Sequence, residues 1–223
     1  MVLADQILTF YKSLKLEMPL PKGVDVLNPF RHDDVFELCK KFYHEFYNDS
    51  NPRRLIMGIN PGRLGGGTTG IPFTDPVKLE KFCSIPNPLP KKTELSADFI
   101  YTMIEAFGGV NSFYKRFHFS SVCPLGFTMD GKNLNYYDLP KLEQAVRPFI
   151  ISSIRKQLTF PIDTGTCFCL GEGENYKYLL KLNQEFSFFE NIVPLPHPRF
   201  IMQYRRKKVH EYVNVYIQKL NIH

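Results

Sequence analysis

Asn60 and Phe73 are the residues of this chain whose types and setting point most directly to chemistry. A short apolar run, Leu55-Ile56-Met57, stops at Gly58-Ile59-Asn60-Pro61-Gly62. That is the pattern of a buried strand breaking into a tight turn that carries one polar side chain. Pro61 removes a backbone donor and Gly62 admits positive φ, so the turn is sharp and leaves room for a ligand. Asn60 then falls just outside the carboxyl end of a strand, where open α/β sheets hold their ligands. Phe73 follows beyond a glycine-rich stretch and offers a flat apolar surface on the same side.

The stretch between them, Gly65-Gly66-Gly67-Thr68-Thr69-Gly70, contains the spacing G-x-G-x-x-G of dinucleotide sites. That fingerprint works by opening a helix whose N-terminus holds a pyrophosphate. Here it runs into Ile71-Pro72-Phe73-Thr74-Asp75-Pro76, where two close prolines argue against a helix. The acidic residue expected some twenty positions on falls in the loop Pro86-Asn87-Pro88-Leu89-Pro90-Lys91. The dinucleotide context is therefore missing.

The elements that must position these residues alternate. Helical spacing marks Val2 to Leu16, ended by Pro19-Leu20-Pro21, and Asp33 to Tyr47. A strand is expected at Leu55 to Ile59, a proline-rich loop at Ser84 to Lys92 and a helix at Ser96 to Phe107. Further strands are expected at Phe117 to Val122, Thr166 to Leu170 and Ile192 to Leu195. A helix over Leu139 to Leu158 should be kinked or divided by Pro148. Helices from Glu174 to Phe186 and from Met202 to Leu220 complete the chain. The expected architecture is a single domain over residues 1–223: a three-layer α/β/α fold with a short, mainly parallel four-stranded sheet flanked by helices. Residues 1–53 form its N-terminal helical part and carry no recognised motif. His197, like Asn60, falls just past a strand's carboxyl end, so the two converge on one crevice.

Of the 223 residues, 43% are hydrophobic and 22% charged, an ordinary globular balance. No apolar run approaches eighteen residues, which gives no expectation of a membrane span, and the N-terminus lacks a signal-peptide pattern. Five cysteines without framework spacing read as reduced thiols of an intracellular protein, cytoplasmic if bacterial and nuclear if eukaryotic. With no C-x-x-C pair, an iron–sulfur cluster is not expected. A net charge of +6 favours a polyanionic partner.

Read together, four segments resemble the uracil-DNA glycosylase superfamily, and most closely its single-strand-selective monofunctional branch. Gly58-Ile59-Asn60-Pro61-Gly62 with Thr69-Gly70-Ile71-Pro72-Phe73 is similar to the branch's first motif. Val122-Cys123-Pro124-Leu125 is similar to its C-P-L strand, Gly131-Lys132-Asn133-Leu134 to its base-reading turn, and Pro196-His197-Pro198-Arg199 to its second catalytic motif. The segments occur in family order from about Arg54 to Arg206. Two departures mark a side branch: Ser120-Ser121 replaces a His-Asn pair, and Pro198-Arg199-Phe200-Ile201-Met202-Gln203 replaces a small serine-containing loop.

The resemblance implies a monofunctional DNA glycosylase acting on uracil in single- or double-stranded DNA, a monomer without metal or organic cofactor. Asn60 would position the attacking water and His197 would donate to base O2. Phe73 would stack on the flipped base, Asn133 would read its O4 and N3–H edge, and Ile59 and Gly62 would line the pocket. Pro198, Arg199 and Phe200 would plug the vacated stack, with Arg205 and Arg206 on phosphates from the first turns of the closing helix. Asp75 is the first carboxylate after Asn60 in sequence. Two other classes remain open on residues alone. A nucleotide-binding transferase or hydrolase would use the glycine loop and depend on metal, and a non-catalytic nucleic-acid-binding module would bind DNA without releasing a base. Singly, Asn60 also fits a turn cap, Phe73 a core residue and Arg205-Arg206-Lys207-Lys208 a solvated helix face.

Overall fold

The structure, a computed structural model, describes residues 1–221. Seven strands and ten α-helices follow one another among them. The strands are β1 (Val24–Leu27), β2 (Arg53–Gly58), β3 (Phe117–Ser121), β4 (Gly126–Met129), β5 (Lys132–Leu134), β6 (Ile162–Leu170) and β7 (Asn191–Leu195). The helices are α1 (Leu3–Ser13), α2 (Asp33–Phe46), α3 (Gly66–Thr69), α4 (Pro76–Cys83), α5 (Leu95–Ala106), α6 (Gly109–Tyr114), α7 (Pro140–Gln157), α8 (Glu174–Phe186), α9 (Pro198–Tyr204) and α10 (Val209–Leu220).

The central sheet has the order β3-β2-β6-β7 and every pairing in it is parallel. Its middle strands are apolar on both faces, as a sheet covered on each side by helices requires. Side chains alternate along β2: Leu55 and Met57 join one core, Ile56 the other. In β6, Cys167 and Cys169 pack with α7 and α8, while Phe168 and Leu170 face the opposite core. The chain steps from β2 to β3 on one side and then crosses to β6 on the other. The switch point of the sheet therefore lies between the carboxyl ends of β2 and β6.

The four expected strands and the α/β/α layering are all present, with β6 longer at its N-terminal end than its apolar pattern suggests. Four features differ. A second, antiparallel sheet β1-β4-β5 was not expected, because its strands are three or four residues long. Its hairpin turns on Asp130 (φ 50°) and Gly131 (φ 68°), consecutive positive φ values that match the twist of a two-residue hairpin. Asn133, expected in a turn, therefore lies on β5, two residues past Gly131. Through β1, the N-terminal part is not purely helical, and α1 and α2 contribute Ile7, Phe10, Tyr11 and Phe42 to the main core.

Pro148 does not divide α7, because Val146, Ile150, Ile151 and Ile154 anchor both halves in the same core. The closing helix is split. Arg205 leaves helical geometry (φ −132°, ψ 24°), and Arg206–Lys208 form a 3-10 turn between α9 and α10. The basic run is thus a solvent-exposed break rather than the first turns of a helix. The segment after His197, read as a loop, is itself the helix α9. Among the described residues no helix is long and apolar enough to cross a membrane.

Candidate active site

The carboxyl ends of all four parallel strands open onto one cavity of about 540 Å³. Ser121 ends β3, Asn60 follows β2, Gly171 follows β6 and His197 follows β7, and all four line it. Ile59, Gly62, Phe73, Asn133, Arg199 and Phe200 line it as well. Of the residues singled out from the sequence, Pro198, Arg205 and Arg206 lie outside its walls. Its volume lies within the usual range for small-ligand sites.

Both ends of the Asn60 amide are tied to the end of β5 and the chain just after it. Nδ2 donates to the Leu134 carbonyl at 3.1 Å, and Oδ1 accepts from the Tyr136 amide at 3.1 Å. These bonds fix which end of the amide is which, and each atom keeps a second hydrogen-bonding direction. Tyr136 is held in turn by its hydroxyl, which donates to Asn175 Oδ1 at 2.9 Å at the start of α8. Asn60 is thus a rigid polar group at the sheet's switch point, braced by the second sheet.

His197 caps α9: its Nδ1 accepts from the Arg199 amide at 3.1 Å. With Nδ1 accepting, the proton of the neutral ring sits on Nε2, leaving an N–H donor. Burial, reinforced by the Arg199 cation, lowers the imidazole to about 4, so the ring is neutral at physiological pH. Gly171 approaches it closely, with the position of an added Cβ 3.8 Å from His197 Cδ2.

Phe73 has φ 55°, rare for an aromatic residue. The turn is pinned by Thr69, whose hydroxyl donates to the Thr74 carbonyl at 2.6 Å and accepts from the Ile71 amide at 3.2 Å. The ring lies across Gly58 and is tilted against Phe119 at 5.3 Å between centroids. Gly58 is glycine because the ring fills the space a Cβ would need, 2.6 Å from Phe73 Cζ. The glycine-rich run forms the single turn α3, and the segment after it leads into α4 at Pro76, so a helix does begin there. Asp75 is the buried cap of α4, accepting from the Lys78 amide at 2.8 Å, and is absent from the cavity wall.

Asn133 Oδ1 accepts from the Arg63 amide at 3.1 Å, and its Nδ2 points past Gly62, 3.3 Å from where a Cβ would stand there. Oε1 of Glu94 comes within 3.4 Å of the same Cβ position. Glu94, Glu172 and Glu174 are cavity-lining carboxyls that sequence reasoning missed. Glu94 stands just before α5 and outside every motif, so no local signal marks it. Ser121, at one of the positions that depart from the close relatives, faces the cavity, whereas Ser120 is buried on Gln157.

In α9, Arg199 and Phe200 are exposed at the cavity rim, while Pro198 and Ile201 are buried and Met202 is half-buried. Of the apolar wedges expected in this segment, Phe200 alone projects, and Tyr204 beside it, 61% exposed, was not anticipated. Their rings lie 5.7 Å apart, with the Arg205 guanidinium 5.4 Å from the Phe200 centroid. Among the described residues no group of three His, Cys, Asp or Glu side chains is arranged to hold a metal ion.

Comparison with known proteins adds two findings. The family model of the uracil DNA glycosylase superfamily matches residues 44–221. The crystal structure of wild-type SMUG2 from Pedobacter heparinus is similar to this chain, with a TM-score of 0.96 and 50% sequence identity. The match covers 98% of this chain and 97% of that one.

Proposed function

The chain belongs to the uracil DNA glycosylase superfamily and is a uracil-DNA glycosylase, a hydrolase of N-glycosyl bonds in base excision repair; on that premise we propose how its cavity performs the reaction. The C1′–N1 bond breaks with both electrons leaving on the base. The sugar becomes oxocarbenium-like, and a water adds at C1′, its proton balancing the departed base anion so that uracil is released neutral. Three tasks follow: hold the flipped base, stabilise negative charge on it, and place the water.

Phe73 stacks on the base, and its fixed φ and its seat on Gly58 hold the ring in one plane. Asn133 Nδ2 donates to O4, while the second lone pair of Oδ1 accepts from N3–H. His197, neutral and protonated on Nε2, donates to O2 as charge grows there. Asn60 Oδ1, oriented by the Tyr136 amide, accepts a hydrogen bond from the attacking water. An amide does not take a proton usefully at neutral pH, so Asn60 orients the water and leaving-group stabilisation carries the rate. No lysine lines the cavity among the described residues, which fits release of the base without strand cleavage.

The observation that carries this reading is the convergence of Asn60, Phe73, Asn133 and His197, from four separate segments, on one cavity at the switch point of the sheet. Uracil-containing oligonucleotides incubated in EDTA should be cleaved only after alkali treatment. Cleavage without alkali would refute the monofunctional mechanism, and dependence on added metal would refute the mechanism as a whole.

A further inference from the structure

Glu94 takes no part in the reaction as drawn above, yet its side chain turns into the reaction cavity. It occupies the N-cap position of α5, where a carboxylate ordinarily accepts from the helix's first amides, but it makes no such bond. Its backbone amide donates instead to Oδ2 of the fully buried Asp75 at 2.9 Å, which fixes the main chain and sends the side chain inward. The carboxyl fills the space beside Gly65, so that residue has no room for a side chain. Oε1 also stands 3.4 Å from the Cβ position of Gly62, the point that Asn133 Nδ2 approaches to 3.3 Å. A carboxyl oxygen and an amide donor therefore converge on one spot of the cavity wall.

The setting disfavours a carboxylate there. No hydrogen bond reaches the Glu94 carboxyl among the described residues. Asp75 and Asp98 act on it with like charge, and the Arg199 cation opposes them. Lys78 is occupied by Asp98 at 2.5 Å and lies 3.8 Å from Asp75. Glu172 and Glu174 add further carboxyls to the cavity wall. Burial first, and then Asp75, push the Glu94 carboxyl up to about 7, so a large protonated fraction is present at neutral pH.

We propose that Glu94 is a further base-reading residue: its protonated carboxyl donates a hydrogen bond to a carbonyl oxygen of the flipped uracil beside Asn133, and its ionised form opposes excision. The proposal rests on the reading of this cavity as the uracil pocket. The chemistry follows from the base. Its O2 and O4 are acceptors that gain negative charge as the glycosidic bond breaks. A carboxylic acid meets such an oxygen with a donor, whereas a carboxylate meets it with a lone pair and a like charge.

The test is the single-turnover rate of uracil release between about pH 6 and about pH 8.5, for the wild type, Glu94→Gln, Glu94→Ala and Asn60→Ala. The wild-type rate should fall as the carboxyl ionises, by up to about 30-fold across that range. Glu94→Gln keeps a donor of the same shape that cannot ionise, so its profile should be flat. Glu94→Ala should be flat but slower at the acidic end, by about tenfold. Thermal denaturation of each variant confirms folding. A Glu94→Gln profile that falls in parallel with the wild type overturns the proposal, as does a flat wild-type profile. If Asn60→Ala abolishes release in that case, the pocket reading survives without Glu94. Wild-type release by Asn60→Ala would reject Asn60's role in the pocket reading and remove the ground on which the Glu94 inference stands.

Discussion

Replacing Gly58 by alanine should disable the base pocket from beneath it. Gly58 is the last residue of β2, and its φ is not in the positive range, so alanine is allowed by the backbone. The added methyl would stand 2.6 Å from Cζ and 2.9 Å from Cε2 of Phe73. Carbon atoms pack at roughly 3.5–4.0 Å, so the ring must move by about 1 Å. The ring packs against Phe119 and its backbone is held by the Thr69 bonds, so the open space into which it can shift is the cavity it lines. Overpacking of this kind costs about 1–3 kcal/mol, partly offset by about 0.4–1 kcal/mol from the lower chain entropy of alanine in the unfolded state. In a protein of this length 1 kcal/mol corresponds to about 2–4 °C, so the melting temperature should drop by a few degrees. The larger effect is on chemistry: a displacement of about 1 Å in a positioning group costs on the order of 10²-fold in rate. Single-turnover release from a uracil oligonucleotide, read beside a thermal melt, measures both. A Gly58→Ala enzyme with wild-type rate and wild-type melting temperature would refute both the seat of the ring and its role in stacking.

His197→Ala should slow base release by about 10²–10³-fold in single turnover while leaving DNA affinity within a few-fold, and a loss below tenfold would assign His197 to structure alone. Asn133→Asp should cut uracil release by at least about tenfold at neutral pH, since a carboxylate cannot donate to O4; an unchanged rate would place base reading elsewhere. Arg199→Ala should weaken release from duplex uracil more than from single strands, because only a duplex leaves a gap to fill. Neutralising Arg205 and Arg206 should instead weaken binding to all DNA and flatten its salt dependence, as measured by fluorescence anisotropy across a salt series. Acid should destabilise the fold. Burial, with a smaller contribution from Arg53, lowers the His118 imidazole to about 3, and its Nδ1 has no hydrogen-bond partner among the described residues. The unfolded chain therefore binds a proton that the folded one refuses, and stability present above about pH 6.5 is lost as the pH falls toward 3. The slope is at most about 1.4 kcal/mol per pH unit for this group. Urea denaturation at pH 7 and pH 5 measures it, and His118→Phe should flatten the difference.

Much of the fold is legible in the sequence because its signals are local. Leu55-Ile56-Met57 and the run Thr166 to Leu170 are apolar without alternation, which is how a strand buried on both faces must read, and the helices between them keep their period. The positions of Asn60 and His197 follow from the same logic, since both stand just after such strands and parallel strands present their carboxyl ends on one edge. The short sheet β1-β4-β5 is not legible, because three or four residues carry too little periodicity. Its β4-β5 hairpin is local, but β1 joins it by a pairing between segments about a hundred positions apart. Pro148 and the break at Arg205 misled for a related reason. Tertiary packing holds α7 together across a proline, while a run of four cations interrupts a segment whose flanks are helical.

The sequence by itself determined the parallel α/β architecture, the family motifs, and the residues Asn60, Phe73, Asn133 and His197 that line the cavity. Tertiary structure alone decided what surrounds them. Asn60 is oriented by two backbone groups more than seventy positions away, at Leu134 and Tyr136. The proton of His197 is assigned by the amide that caps α9. Asp75, the first carboxylate after Asn60, was withdrawn from the site by its role at the start of α4, whereas Glu94, outside every motif, was brought into it. The physical reason is the same in each case. Hydrogen-bond partners, burial and the field of neighbouring charges depend on distances in space, which local pattern does not encode.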